Sequence, residues 1–209
     1  MKKIIKYLKR NKSFSITFGV FLGLFIILSL LICTGYIDHI DNIIHSYILK
    51  IRSEKLTSVF KIITNFAGAS FLLAISLILL ILTKKKIYPL FILINTSSSF
   101  LVNELMKNIF IRHRPVGIGL ILEKGYSYPS GHSMVSLAFY GFITYLLFKK
   151  YRNKVVRIIL FLTFSIIILL IGFSRIYLGV HYLSDVIGGF LLAISYLLIY
   201  IKVINMEKK

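Results

Sequence analysis

The run from Ser174 to Asp185 reads S-R-I-Y-L-G-V-H-Y-L-S-D and sets an arginine, a histidine and an aspartate between two long apolar stretches. His181 and Asp185 are four positions apart, so they share one face if a helix begins here. A carboxylate at that spacing accepts a hydrogen bond from one imidazole nitrogen and leaves the other facing a substrate, which is the base-and-orienter half of a nucleophilic site. Arg175, ahead of that helix, offers an anion a planar fork of donors. Two further clusters lie upstream. Lys107 and Arg114 are separated by about two helical turns, so both cations can point into one pocket, and Pro115 is expected to stop that helix directly after Arg114. In Pro129-Ser130-Gly131-His132, Ser130 is a candidate helix N-cap and Gly131 lets an anion approach the backbone closely. His132 is placed there to give a proton to a leaving oxygen. Each cluster alone has a plainer explanation: basic side chains snorkelling to lipid headgroups, an ordinary loop-to-helix turn, or an Arg175–Asp185 ion pair with His181 as a bystander. Together they supply three cations, backbone donors, a nucleophile with its orienter and a proton donor, a full set for phosphoryl transfer without a metal. No grouping of carboxylates, histidines or cysteines has metal-ligand spacing, so no metal or other cofactor is expected. Glu104, three positions before Lys107, is placed to pair with it.

The elements that must position these groups are membrane helices. Of the 209 residues, 57% are hydrophobic, and the mean hydropathy of +0.86 is too high for a soluble domain of this length. The net charge of +19 would suit nucleic acid, but the basic residues come in short clusters between apolar runs rather than on one face, which disfavours that partner. Charge-poor segments predict six transmembrane helices: Ser13 to Ile37, Ile62 to Thr83, Ile87 to about Met106, about His132 to Phe148, Ile158 to Phe173, and about Tyr182 to Ile201. The first follows a basic start but is too long for a signal peptide and lacks a small-residue cleavage site. Between the first two spans, Ile40, Ile43, Ile44, Tyr47, Ile48 and Ile51 recur at helical spacing opposite Asn42, His45, Lys50 and Arg52, predicting a short amphipathic surface helix. His39 and His45 are read there as exposed interfacial histidines. Cys33 is the only cysteine and is read as an apolar filler. The expected architecture is one all-α, polytopic membrane domain over residues 1–209. With six spans the termini share a side, and that side holds 17 of the 26 Lys and Arg residues, which predicts cytoplasmic termini in the plasma membrane. All three clusters then fall on the extracytoplasmic face. The span centres carry no ionisable residues, which argues against a transporter or channel.

The set Lys107-x6-Arg114-Pro115, Pro129-Ser130-Gly131-His132 and Ser174-Arg175-x5-His181-x3-Asp185 resembles the three-part signature of the type 2 phosphatidic acid phosphatase superfamily. The resemblance covers residues 107–185 in order, with no departure at a signature position. It implies a six-span membrane enzyme that hydrolyses a lipid phosphate or pyrophosphate, with undecaprenyl pyrophosphate and phosphatidylglycerophosphate as the first candidate substrates. It also implies roles. His181 would attack phosphorus while Asp185 holds its ring, and His132 would protonate the leaving group and then activate water. Lys107, Arg114, Arg175 and the Ser130-Gly131 backbone would bind the phosphate oxygens. The residue inventory by itself does not decide which histidine attacks. Arg112 and His113 lie outside the signature and receive no chemistry. Within the same superfamily a lipid phosphotransferase is the alternative, and an inactive scaffold is a more remote one. The oligomeric state is left open by the sequence.

Overall fold

Apolar runs that cannot leave backbone groups unpaired in hydrocarbon fold as helices, and helices make up the architecture here. The computed structural model describes residues 12–207, and among these it has eight helices and no strand. They are α1 (Lys12–Cys33), α2 (Asp38–Ile51), α3 (Glu54–Asn65), α4 (Ala69–Leu82), α5 (Ile87–Phe110), α6 (Gly131–Lys150), α7 (Lys154–Tyr177) and α8 (Leu183–Glu207). The basic residues Lys2, Lys3, Lys6, Lys9, Arg10, Lys208 and Lys209, used in the count by side, lie outside the described residues.

Four of these helices, α1, α6, α7 and α8, are long and apolar enough to cross a membrane, and a fifth span results if α3 and α4 are taken as one bent element. Only 17% of the apolar window of α1 and of α7 is buried, against 44% for α6 and 39% for α8. So α6 and α8 form the centre, and α1 and α7 present their sides to lipid. The helix α5 covers the expected third span but does not reach the same hydropathy, because Asn95, Thr96, Ser99 and Asn103 line its buried face. These groups bind neighbouring helices: Asn95 Nδ2 donates to the Ala138 carbonyl at 2.8 Å, and Tyr196 Oη donates to the Asn95 carbonyl at 3.0 Å. Polar contacts of this kind join helices where lipid offers no hydrophobic drive between them.

Three expectations about the elements change. The run Ile62 to Thr83 is not one straight span: it breaks after Asn65 and bends by 45° between α3 and α4. The break falls at Phe66-Ala67-Gly68, where Gly68 precedes α4 in an extended conformation. It leaves Thr64 at the end of α3, within reach of Arg175. The amphipathic segment buries a different face from the one the surface-helix reading implied. In α2 the buried residues are Asp41, His45 and Ile48, one face at i, i+4 and i+7, while Ile40, Ile43, Tyr47 and Ile51 are exposed. His45 is therefore 6% exposed, not an interfacial histidine. A bilayer accounts for the exposed isoleucines, since lipid accepts apolar side chains, while Asn42, Ser46 and Lys50 also stay on the exposed side. Lastly, α5 ends at Phe110, not at Arg114. Ile111 takes the left-handed conformation at φ 49°, which closes the helix and sends Arg112 to Arg114 away as extended chain.

Candidate active site

The turn carrying His181 is built on Gly179. Its φ is +72°, and a Cβ there would lie 2.3 Å from the Ile118 carbonyl oxygen, so only glycine fits. The chain leaves α7, turns at Leu178 to Tyr182 and enters α8 at Leu183, so His181 sits just ahead of the helix rather than on it. The pair still meets, because Asp185 in the first turn of α8 reaches back. Its Oδ2 accepts from the Tyr182 amide at 2.8 Å and lies 3.4 Å from His181 Nδ1. Ser127 completes this contact: its hydroxyl is 3.2 Å from His181 Nδ1 and donates to Asp185 Oδ2. His181 is 1% and Asp185 0% exposed. With Nδ1 engaged, Nε2 is the ring atom left for chemistry, and Arg114 Nη1 stands 3.1 Å from it. Burial, with Arg175 and Arg114 adding to it, pushes the His181 imidazole down to about 4 against the pull of Asp185. The ring is thus neutral at physiological pH.

The Pro129-to-His132 segment reaches the same place. Ser130 caps α6 as expected, its hydroxyl accepting from the Ser133 amide at 3.5 Å and from the Ser133 hydroxyl at 2.9 Å. The Ser130 amide donates to the Asp185 carbonyl at 3.0 Å, and Asn103 Nδ2 donates to the Pro129 carbonyl at 3.1 Å, which fixes the α6 start against α8 and α5. Close approach of α8 depends on Gly188 and Gly189, where a Cβ would fall 2.3 Å from the Tyr128 ring and 2.7 Å from the Ser130 carbonyl oxygen. Lys107 Nζ lies 4.0 Å from the point a Gly131 Cβ would occupy, at the N-terminal end of α6. Glu104 acts on Lys107 electrostatically, but the two form no ion pair within 4 Å among the described residues. Arg175, His181, Lys107 and Arg114 are all near enough to act on His132. Its ring has no hydrogen-bond partner among the described residues, which leaves it for a ligand.

Arg175 is 0% exposed and does not pair with Asp185. Its Nη1 donates to Thr64 Oγ1 and its Nη2 to Glu123 Oε1, while its Nε is buried without a partner. A buried guanidinium N–H without an acceptor is costly and is suited to an anion's oxygen. Glu123 also lies 4.0 Å from Arg114. Burial alone would raise the Glu123 carboxyl, but Arg175 outweighs that and holds it below the usual carboxylate range.

All eight expected residues, His181, His132, Asp185, Lys107, Arg114, Ser130, Gly131 and Arg175, therefore converge. Five more were not expected: Arg112, Asp41, Ser127, Glu123 and Thr64. Arg112, given no chemistry from the sequence, bonds Asp185 Oδ1 at 2.8 Å, Ser184 Oγ at 2.7 Å, Asp41 Oδ2 at 2.9 Å and Asp38 Oδ1 at 3.0 Å. Burial would lower Arg112, but Asp185 and Asp41 hold it above its ordinary value. The sequence held one signal for Asp41. It shares the α2 face of His45 and Ile48, and a carboxylate on the inward face of a membrane-seated helix needs a cation opposite it.

As chemistry, the site brings together a buried neutral imidazole with a fixed Nδ1, a second imidazole, three cations and a helix N-terminus. Comparisons with known proteins show the family of the chain. The chain is 34% identical over 178 residues to Phosphatidylglycerophosphatase B of Bacillus subtilis, an alignment covering 81% of this chain and 86% of that protein. Its fold matches the crystal structure of the first transmembrane PAP2 type phosphatidylglycerolphosphate phosphatase from Bacillus subtilis with a TM-score of 0.82. That match has 30% identity and covers 91% of this chain and 96% of the other. It also resembles the crystal structure of Aquifex aeolicus LpxE, with a TM-score of 0.58, 25% identity, and 76% and 92% of the two chains covered. With the PAP2 superfamily pattern matched over residues 85–209, the chain belongs to the PAP2 superfamily.

Proposed function

We propose that this membrane protein is a lipid phosphate phosphatase that works through a phosphohistidine at His181. The observation that carries the reading is the orientation of the buried His181 ring, with Nδ1 held by Ser127 and Asp185 and Nε2 turned to the cations. In the first step Nε2 forms a bond to phosphorus as the bond from phosphorus to the leaving oxygen breaks, and His132 gives that oxygen its proton. In the second step water attacks phosphorus and passes a proton to His132, the P–N bond breaks, and phosphate leaves. Lys107, Arg114, Arg175 and the amides at the start of α6 hold the phosphoryl oxygens throughout and offset charge that builds in the transition state. Three fixed cations around one phosphoryl group supply what a divalent ion supplies elsewhere, so the reaction is metal-independent.

The substrate is a lipid whose tail stays in the bilayer while its headgroup enters between the helix ends. The name of the Bacillus subtilis relative supports phosphatidylglycerophosphate first, and undecaprenyl pyrophosphate is the second choice. Six crossings are proposed, with α5 as the sixth, its polar face sealed against α6 and α8. Cytoplasmic termini and an extracytoplasmic site follow from the distribution of basic residues. The test is phosphate release by purified protein in detergent with EDTA, on phosphatidylglycerophosphate, undecaprenyl pyrophosphate and phosphatidic acid. Release that is lost in His181→Ala supports the reading. No release from any lipid, or release that requires added magnesium, contradicts it.

A further inference from the structure

Residues that the reaction does not use converge on the back of the nucleophile. Arg112 presents one edge to Asp185 Oδ1 and Ser184 and the other to Asp38 and Asp41, with its guanidinium carbon 4.3 Å from the Tyr182 ring centre. The Asp185 carboxylate is thereby divided: Oδ1 belongs to Arg112, and Oδ2 is left for Tyr182, Ser127 and His181. Asp41 is 1% exposed and is fully committed. Its Oδ1 accepts from the Ser184 amide at 3.0 Å, and its Oδ2 accepts from Arg112 and the Ser184 hydroxyl. The same segment grips the chain on both sides of the nucleophile. His45 Nε2 is 3.2 Å from the His181 carbonyl oxygen, and Arg52 donates to the Tyr177 carbonyl from Nε at 3.1 Å and Nη2 at 2.9 Å.

We propose that Asp41 and Arg112 are a positioning pair that sets the carboxylate of Asp185, and through it the ring of His181, with α2 as the brace that carries Asp41. This rests on the reading of His181 as the attacking residue. A fully buried carboxylate costs stability unless it is paired, and the pairing of Asp41 leads to the orienting aspartate. When Nε2 bonds to phosphorus the imidazole gains charge, and Asp185 must face Nδ1–H at that moment. Arg112 holds that carboxylate in place and in its orientation, and Asp41 keeps Arg112 from turning away. The amphipathic helix thus acts on the reaction without touching the substrate.

The other charges near the ring are Arg114 and Glu123 from the connection after α5, Arg175 from α7 and His132 from α6. Asp38 and His45 from α2, Arg52 just after it and Lys107 from α5 are the others. These are the same in every variant, so the difference between variants isolates the pair. Removing a cation beside Asp185 favours the imidazolium, and removing an anion behind Arg112 disfavours it. The test uses the full chain in detergent and the variants Arg112→Gln, Arg112→Lys and Asp41→Asn, each checked for folding by a heating series with size-exclusion readout. We expect kcat to fall about 10- to 100-fold in Arg112→Gln with KM within about threefold of wild type, as for a misplaced reacting group. The acid limb of the pH profile should move up by about one unit in Arg112→Gln and down in Asp41→Asn. Arg112→Lys should restore the limb but only part of kcat, because lysine has charge without the fork. Nitrogen NMR of histidine-labelled protein follows the His181 titration without substrate and should show the same opposite shifts. Opposite shifts with no phosphate release from wild type would leave the pair standing and remove the phosphatase reading. Unchanged kcat and limb in folded variants, or shifts of the same sign in both, would overturn the pair.

Discussion

The side chains of this site divide into those that face the substrate volume and those that hold them, and the two groups predict different kinetics. Ser127 bridges His181 Nδ1 and Asp185 Oδ2. Ser127→Ala should lower kcat by about tenfold while leaving KM nearly unchanged, since it removes orientation and no phosphate contact; steady-state assays at saturating lipid decide this. A KM rise with kcat intact would place Ser127 in binding instead. Arg175→Lys should behave in the opposite way and raise KM, because the lone Nε–H is lost with the guanidinium. The eight residues that converge were legible in the sequence because their types and spacings belong to one chemistry. The holders behind them were not. Arg112 meets Asp41 and Asp185 only through tertiary packing, 71 and 73 positions away. Ser127 sits in a connection with no pattern of its own. Arg112 received no chemistry because it lies outside the signature positions, and only the buried acids around it show its part.

The helices carry the site by a few close approaches, and these make the element-level predictions. At Gly188 a methyl group would overlap the buried Tyr128 ring, whose hydroxyl pairs with Ser29 at 2.8 Å. Gly188→Ala should therefore cost about 1–3 kcal/mol and lower the unfolding midpoint in detergent; an unchanged midpoint would show that α8 does not need this contact. Ile111 points the other way. A β-branched residue at φ 49° is strained by about 1–2 kcal/mol, and Ile111→Gly should raise the midpoint unless the side chain contributes as much by packing. Most helices were readable from apolar or amphipathic runs, but the Glu54–Lys61 part of α3 was not, and neither were the joints. The end of α5 at Phe110, four residues before Arg114, and the break between α3 and α4 are both set by backbone conformation and neighbour contacts that composition does not encode. The inward face of α2 was misread for a simpler reason: in a membrane protein the apolar stripe can face lipid, so amphipathicity alone does not tell which side is buried.

At the scale of the whole molecule, burial of neutral groups ties stability to pH. The folded pKa of His181, about 4, lies below its ordinary value, so protonation favours the unfolded chain. This contribution is fully present above pH 6.5 and is lost as pH falls from there toward 4, by about 3 kcal/mol at the lower end. Burial lowers His45 as well, and Glu123, held below its ordinary range, loses stability in the same direction under more acid conditions. The unfolding midpoint should fall steeply between pH 6.5 and 4, and His181→Asn should flatten that fall. The orientation proposed from the basic residues can be read in intact cells. In a Cys33→Ser background, an impermeant maleimide should label Leu122→Cys, which stands fully exposed beside the site, and should spare Arg152→Cys. The reverse pattern would invert the topology. The central claim, that His181 takes the phosphoryl group, is tested most directly by acid-free denaturing quench of the protein with lipid carrying a labelled terminal phosphate. The account predicts an alkali-stable, acid-labile label on a peptide containing His181, formed in wild type and absent in His181→Ala. A label on another residue, or catalytic release from His181→Ala at the wild-type rate, would contradict it.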